Sequence, residues 1–555
     1  INYNGKNISI IGEDRETTII DGNQAGSVVT IESVATASLE NLTMQNGTGT
    51  DMINNGEMWG GGIFIKSSGV AITNCVIKDN TAISGGAGIY TDYSSTLLMD
   101  GCVVKSNGII TQGSGAGINT HSSTVTIRNT LVADNQAVQG GGVYFWTSTP
   151  TLDKVTIINN SSSDVGAGVF CYADSDPVIT NSIIRNNNGP DQIYLGATDN
   201  NDISIGYSNI SYGIDSITVI GSSTVTDLGG IVDVDPMFVD SANGNYHLLA
   251  SSQLINAGHP DSLDSDGTVA DIGAYSYLNS YSGPTWYITE AGNDSTATGA
   301  SGDPFRSIQA GINFSSDTDS VTVAAGTYVE NINWRNVNGI KLIGSGVENC
   351  IIDGGQISNV ITIGNSNMGW GLIDTSTVIS SFTIQNGASL SGPFGHGGGL
   401  HINHQSSPLL ENLLITDNTG GHGGGMFVVN GSSPLIRNVV IKDNIGSEGG
   451  GIAFQAGGSP KLENVLIHNN TAGSFGGGIY CGAQHMSLTN VTITENSSNA
   501  GGGSIYFAYQ NFDDSDERPI ITNSIFWDNS PQEFYIYYPA GEVEGSFEIS
   551  YSNIE

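Results

Sequence analysis

The sequence predicts an all-β chain folded as a right-handed parallel β-helix, a solenoid of coils about 26 residues long, in two tandem copies. Three observations carry that prediction: a seven-residue motif closed by Asn that recurs ten times, glycine clusters that each lead into an apolar strand, and a longer repeat relating the two halves of the chain.

The motif runs Asn74–Asn80, Gly101–Asn107, Asn129–Asn135, Lys154–Asn160 and Asn181–Asn187, then Asn412–Asn418, Asn438–Asn444, Asn464–Asn470, Asn490–Asn496 and Asn523–Asn529. Successive starts lie 27, 28, 25 and 27 residues apart in the first set and 26, 26, 26 and 33 in the second. Such a period marks a repeat architecture in which each coil buries its apolar row only by stacking on its neighbours. Stacking brings equivalent residues to about 4.8 Å, the distance between hydrogen-bonded strands, so like residues form ladders. Asn suits a ladder because its amide bonds to the Asn above and below and its backbone tolerates a left-handed bend. Asn74, Asn129, Asn181, Asn412, Asn438, Asn464, Asn490 and Asn523 are therefore the expected structural ladder.

The glycine clusters are Gly60 to Gly62, Gly85 to Gly88, Gly140 to Gly142, Gly397 to Gly399, Gly423 to Gly425, Gly449 to Gly451 and Gly476 to Gly478, each followed by Ile, Val, Leu or Met. Glycine supplies positive φ where a coil turns sharply. Helical periodicity of 3.6 is absent apart from Phe305, Ile308 and Ile312, which predict a short helix capping the second copy.

The longer repeat matches Ile10-Ile11-Gly12 and Ile19-Ile20-Asp21-Gly22 to Leu342-Ile343-Gly344 and Ile351-Ile352-Asp353-Gly354, and Tyr207-Ser208-Asn209-Ile210 to Tyr551-Ser552-Asn553-Ile554. The expected layout is a first β-helix over 1–210 without an N-terminal cap, a closing tail over 211–283, a cap and first strands over 284–330, and a second β-helix over 331–555 without its closing tail. Both ends look cut, and an open solenoid end presents unpaired strand edges. The expectation is a longer array of further copies, or self-association end to end.

Composition excludes several classes. With 15 Lys+Arg against 53 Asp+Glu, a net charge of −38 repels phosphate backbones, so nucleic acid is not an expected partner. No apolar run reaches the length of a membrane span. Such acidity suits salty or calcium-containing media outside the cell, and the expected location is secreted or attached to the cell surface. No signal peptide opens the sequence, so a secreted form would be a processed or partial chain. Cys75, Cys102, Cys171, Cys350 and Cys481 form no CxxC pair; Cys75 and Cys102 fall at matching places in successive coils, as a buried thiol ladder or as a pair.

The repeats resemble the pectin-lyase-like superfamily of right-handed β-helices. The pairing of GGG-Ile or GGA-Ile with a downstream Ile-x-x-Asn resembles the polymorphic outer-membrane proteins, Phe526-Trp527-Asp528-Asn529 being the one literal FxxN. Asp235-Pro236-Met237-Phe238, Asn245-Tyr246-His247-Leu248, Ile255-Asn256-Ala257-Gly258 and Asp271-Ile272-Gly273-Ala274-Tyr275 look like the closing module of secreted bacterial β-helix proteins. The resemblance implies fold and secretion; function stays open, because the same fold hosts lyases, hydrolases and adhesins.

No lyase or polygalacturonase motif is present. Lys78, Lys105, Arg185 and Lys442 recur at one place in the motif and read as an outward, solvated stripe. Asp261, Asp264, Asp266 and Asp271 read either as a calcium loop, with the twelfth-position Glu missing, or as an acidic surface loop. His396 and His422 precede successive glycine clusters with His401 and His404 nearby, a surface pair or a weaker candidate for zinc or nickel. Trp286, Trp334, Trp370 and the stretch Tyr535 to Tyr538 are candidate sugar platforms or plain packing. Two functions follow: a non-catalytic extracellular surface, adhesive or filament-forming protein, possessing no catalytic residues, or a polysaccharide-active lyase, hydrolase or carbohydrate-binding module on the sheet groove. Calcium is the one cofactor suggested, and a polysaccharide or a host or cell surface the partner.

Overall fold

The computed structural model describes residues 1–555 apart from 53, 55, 111, 197–199, 336, 365–372, 390–395, 483–484, 509–518 and 538–546. It divides into two compact units, Ile1–Leu278 and Asn279–Glu555, and each is a right-handed parallel β-helix.

One coil shows the plan. Strand Gly69–Thr73 runs to a bend at Asn74 (φ 50°), Val76–Lys78 runs to a second bend at Asp79 (φ 54°), Thr81–Ala82 leads to a glycine corner at Gly86 (φ 59°), and Ile89–Asp92 closes the turn. The next coil pairs with it in parallel, Gly69 with Thr96, Val76 with Val103 and Ile89 with Ile118. In the first unit strands Thr124–Ala133 and Thr149–Ile158 run through the Asn bend, so both arms merge into one 15-stranded sheet. In the second unit the bend separates the arms into sheets of 10 and 9 strands.

Strand alternation sends Ile63 and Ile65, Ile89 and Thr91, and Val143 and Phe145 inward, where all are fully buried. The glycine corner permits this path for two reasons. Gly60, Gly86, Gly115, Gly140 and Gly166 hold φ between 59° and 64°, and a Cβ on Gly86 would stand 2.4 Å from the Ile89 carbonyl oxygen.

Each motif contributes two Asn positions with different surroundings. The opening residues hold positive φ at an exposed or half-buried bend, except Asn181, which is buried beneath residues 235–277. Asn438, Asn464 and Asn490 each donate from Nδ2 to the Oδ1 of the Asn one coil earlier, at 3.5, 3.2 and 3.0 Å, starting on Asn412. In the first unit Asn74 makes the same bond to Asn41 one coil earlier, but Gly101 and Lys154 then interrupt the row, so Asn129 and Asn181 donate instead to Asp100 and Asp153. Asn523 uses its backbone N–H on the Ser550 carbonyl.

The closing Asn of each motif is the buried one. Asn80, Asn107, Asn135 and Asn160 each donate from Nδ2 to the next Oδ1 at 2.9 to 3.0 Å, and each backbone N–H bonds to that same oxygen. Asn187 ends the row on Gln192 Oε1. Asn418, Asn444, Asn470 and Asn496 repeat the pattern, and Asn529 ends it on the Glu533 carboxylate. Each remaining amide proton goes to a carbonyl of the previous coil, as from Asn107 to Ile77. These side chains escape the cost of burying a polar group because every donor and acceptor is used.

Pairing in the first unit continues past residue 210: Thr218–Val219 pairs with Ile193–Leu195, and Val225–Asp227 with Ile203–Gly206. These coils lack the Asn motif, which is why the repeat does not reveal them. Residues 235–277 then lie along the outer side of the first unit, with the antiparallel pair Phe238–Asp240 and Asn245–Leu248. Tyr246, Phe238 and Tyr275 cover Val76, Val103, Leu131, Ala133 and Ile158. The second unit opens with helix α1 (Ile308–Phe314), buried along its whole length against strands Thr285–Ile288, Ser320–Val323 and Ile332–Asn333. The N–H groups of Ile308 and Gln309 donate to the Glu330 carboxylate at 2.8 and 3.0 Å, satisfying two of the orphan donors of a helix start.

The two Asn positions have opposite expected sensitivities. Asn444→Ala removes the oxygen that accepts both the backbone N–H and the Nδ2 of Asn418, leaving that N–H buried without its partner, and a loss of about 1–3 kcal/mol in the second unit is expected. Asn438→Gly keeps the left-handed bend, as Gly101 does at φ 65° in the first unit, and is expected to cost under about 1 kcal/mol. Urea unfolding midpoints of both variants check the pair; equal losses would contradict the assignment of the inner ladder.

Candidate functional site

In the first unit the sheet that follows the glycine corners carries two outward columns. Parallel register aligns Phe64, Tyr90, Asn119, Tyr144, Phe170 and Tyr194 in one, and Lys66, Asp92, His121, Trp146 and Tyr172 in the other. The corner folds back beside the first column, so Phe64, Tyr90, Tyr144 and Phe170 are almost fully buried although they point away from the core. The second column is more open: Trp146 is 37% exposed and Lys66, His121 and Tyr172 are half-buried, while Asp92 is buried.

The rings touch in sequence. Trp59 meets Tyr90 at 4.7 Å between centroids, His121 meets Trp146 at 4.3 Å, Trp146 meets Tyr172 at 5.2 Å and Phe170 meets Tyr194 at 5.2 Å. Tilted and edge-to-face contacts at these distances are the favoured aromatic geometries. Two polar atoms at the floor lie buried without a protein partner, Trp59 Nε1 and Asn119 Oδ1.

The one carboxylate in the row is already committed. Asp92 accepts from the Tyr90 hydroxyl at 3.0 Å and the Tyr93 N–H at 2.7 Å. His121 Nδ1 lies 3.7 Å from Asp92, beyond hydrogen-bond length, and burial pushes its imidazole below the ordinary range. Among the described residues no second carboxylate lies within 4.0 Å of His121.

The equivalent face of the second unit aligns Thr362, His401, Phe427, Ala453, Tyr480, Tyr506 and Tyr535. Here the four candidate histidines do not form a metal-binding set. His396 stacks on His401 at 4.6 Å and 12°, and His401 and His422 stack on Phe427. Imidazole lone pairs lie in the ring planes, so parallel stacked rings cannot aim them at one ion. Burial, with His396 and His404 nearby, pushes His401 down to about 3. His422 pairs with Glu448 at 3.1 Å, and His404 sits at a left-handed bend.

The candidate calcium residues have their oxygens taken up by protein groups. Asp264 is ion-paired with Lys154 and accepts the Asp271 N–H, while the two oxygens of Asp271 accept N–H groups of Asn256 and Tyr277 at 2.7 and 2.6 Å. Asp266 bonds Thr268, and Asp261 is exposed. As a set they do not fit a calcium ion, and among the described residues no group of three or more His, Cys, Asp or Glu is arranged to hold a metal. They fasten residues 235–277 to the first unit instead, and Lys154 takes the left-handed bend that Asn or Gly holds elsewhere.

Other candidates resolve by burial. Trp286 and Trp334 are 2% exposed, so they pack the start of the second unit and offer no platform; Trp370 and Tyr538 lie outside the described residues. Tyr535 and Tyr537 are exposed. Lys78 and Lys105 are register neighbours along a cleft of about 410 Å³ beside Tyr246 and Tyr275, Arg185 pairs with Asp233, and Lys442 with Asp443 at 3.0 Å. None of the five cysteines forms a disulfide and all are buried, and burial pushes the Cys75 and Cys102 thiols up to about 11 and about 12. Sequence reasoning missed Tyr90, His121, Trp146 and Tyr172. Their signal was there, two and four positions after each glycine cluster, in strands read only as far as their first apolar residue.

A coiled stack of parallel strands with a ring-lined outer face places the chain among the β-helix proteins. The family model for the right handed beta helix region matches residues 2–149, 61–228, 310–493 and 372–550, and the chain belongs to that family. Similar solved structures include the deglycosylated pectin methylesterase from Aspergillus niger, at 14% identity over 50% of this chain and 85% of that one, TM-score 0.29. Another is the PL6 family alginate lyase AlyGC, at 11% identity over 100% of this chain and 94% of that one, TM-score 0.25. At such scores neither likeness bears on what this chain does. No curated protein matches it. No helix among the described residues is long and apolar enough to cross a membrane.

The module contact makes stability depend on pH. Burial pushes the Asp271 carboxyl up to about 7 from 3.8, so the folded first unit retains a proton that the unfolded chain loses between those values. Stability from this group is therefore present at about pH 4 and lost as pH rises through 7. Asp271→Asn is expected to flatten the slope of unfolding free energy between pH 4 and 7 by roughly one proton, read from urea unfolding at several pH values.

Proposed function

We propose that this chain is a non-catalytic, extracellular polysaccharide-binding scaffold, with the outward column His121, Trp146 and Tyr172 as its principal contact. The observation that carries the reading is the open row of rings, repeated at the coil spacing of about 4.8 Å. Sugar rings present apolar C–H faces that stack on aromatic side chains, while their hydroxyls need polar partners at the edges. Lys66 and His121 stand in the same column to provide them. A strand stack is rigid, so it presents the row preorganised and lowers the ordering cost of binding an extended polymer.

Catalysis is a weaker fit. Glycosidic cleavage by paired acids needs two carboxyl groups flanking one bond, and general-base chemistry needs a base within reach of a proton. Asp92 alone stands in the row, and it already accepts from Tyr90 and Tyr93. The acidic surface, with a net charge of −38, supports a location outside the cell and favours neutral over anionic glycans.

Affinity electrophoresis through neutral and acidic polysaccharides tests this directly. Retardation by at least one neutral polymer is expected, and Trp146→Ala with Tyr172→Ala should weaken it about tenfold or more, given roughly 0.5–1.5 kcal/mol per aromatic contact. An unchanged melting temperature would show that the variant still folds. No retardation by any polymer, or release of new chain ends during incubation, would refute the proposal.

A further inference from the structure

In the first unit Val76, Val103, Leu131 and Ile158 point away from the core, yet each is at most 8% exposed, because residues 235–277 lie over them. Three contacts seat that module on the last coils. The Ala274 N–H donates to Thr156 Oγ1 at 3.0 Å, the His259 N–H donates to Asn181 Oδ1 at 2.7 Å, and Gly273 lies so close to Ile183 that a Cβ would stand 2.7 Å from its Cδ1.

The second unit repeats the receptor for this module. Asn181-Ser182-Ile183 recurs as Asn523-Ser524-Ile525, and Val155-Thr156 as Val491-Thr492. The register is the same: Thr156 pairs with Ile183 and Ile183 with Asn209, as Thr492 pairs with Ile525 and Ile525 with Asn553. Ser182 donates its N–H to Ser208 Oγ at 3.1 Å, and Ser524 donates to Ser552 Oγ at 3.1 Å. Exposure is what differs. Ile183 is 1% exposed and Ile525 44%; Asn181 is 1% exposed and Asn523 is open to solvent. Trp527 beside them is 49% exposed, and Leu414, Val440 and Leu466 of the same column are only half-buried.

We propose that this column of the second unit is a docking surface for a second closing module, built like residues 235–277. Its occupant is a two-stranded antiparallel ribbon with aromatic side chains against Leu466 and Ile525, followed by a loop that donates backbone N–H groups to Thr492 and Asn523. The covered column of the first unit shows how such a ribbon sits, and the three receptor positions it uses are all present again. One receptor position differs, Asn490 standing where Lys154 pairs with Asp264. An acid buried there would lack its cation, so the second module carries a neutral residue at that place.

The test extends the full chain after Glu555 with a copy of residues 233–278 in which Asp264 alone is replaced by Asn. Trp527 fluorescence, obtained by subtracting the Trp527→Phe version of each chain, is expected to shift to shorter wavelength, with at least threefold less acrylamide quenching than in the parent chain. Ile525→Lys or Asn523→Gly in the extended chain should restore the parent's quenching. Unchanged quenching, with the added copy cut by protease while residues 235–277 stay intact, would overturn the proposal. So would a parent chain that sediments as a dimer with Trp527 already protected, which assigns the face to a second copy.

Discussion

The amide of the closing Asn in each motif is the constraint on which the rest of the structure depends. It sits immediately after a left-handed bend, at Asp79 before Asn80 and at Asp443 before Asn444, and turns into the coil. Buried there, it must find a carbonyl behind it and another amide ahead of it, or the coil carries an unpaired polar group in its core. Both partners exist only when neighbouring coils are in register at that residue. Register at one point of a parallel stack sets the in-and-out alternation of every strand on the coil, since a slip of one residue would exchange the faces. Ile63 and Ile65 face the core, and Phe64 and Lys66 face out, because Asn80 is held where it is.

With register fixed from inside, the outward columns are free to vary. The face after the glycine corners holds Tyr90, His121 and Trp146 in one unit and His401, Phe427 and Tyr480 in the other, on strands with the same inward pattern. The outer column of the arm between the bends is apolar in both, but among the described residues a ribbon lies on it only in the first unit. The buried rows are nearly uniform and the exposed ones are not, which is the distribution expected when packing constrains one side of a strand and a ligand or neighbour the other.

Much of this was legible in the sequence. The period, the glycine corners and the two copies follow from spacing alone, and Phe305, Ile308 and Ile312 mark helix α1. Spacing could not say which Asn of each motif lies inside. The two stand six residues apart in every repeat, and the choice is made by the second bend, which reverses the direction of the chain and is signalled only by a residue such as Asp79, Ser106 or Asn159 that also occurs freely in loops. Nor could it show that Asp264 is turned to Lys154, a residue 110 positions away. For Trp286 and Trp334 spacing left platform and packing both open, and burial decides for packing, since large rings fill the start of a stack.

Charge placement follows from the same geometry. Asp79, Asp134, Asp417, Asp443 and Asp528 occupy the second bend because Asp tolerates positive φ, and stacking sets equivalent positions about 4.8 Å apart. Where carboxylates fall on adjacent coils, as at Asp417 and Asp443 and at Glu495 and Asp528, they repel, the more so in a chain with 53 acids and 15 basic residues. The recurrent lysines answer this locally: Lys78 lies 3.5 Å from Asp79, and Lys442 lies 3.0 Å from Asp443, which also accepts from Asn469 on the next coil. Each such pair is exposed and adds little stability by itself. Its effect is to lower the repulsion that the bend imposes, so that an acidic residue can serve at a position chosen for backbone conformation while the amide beside it holds the register.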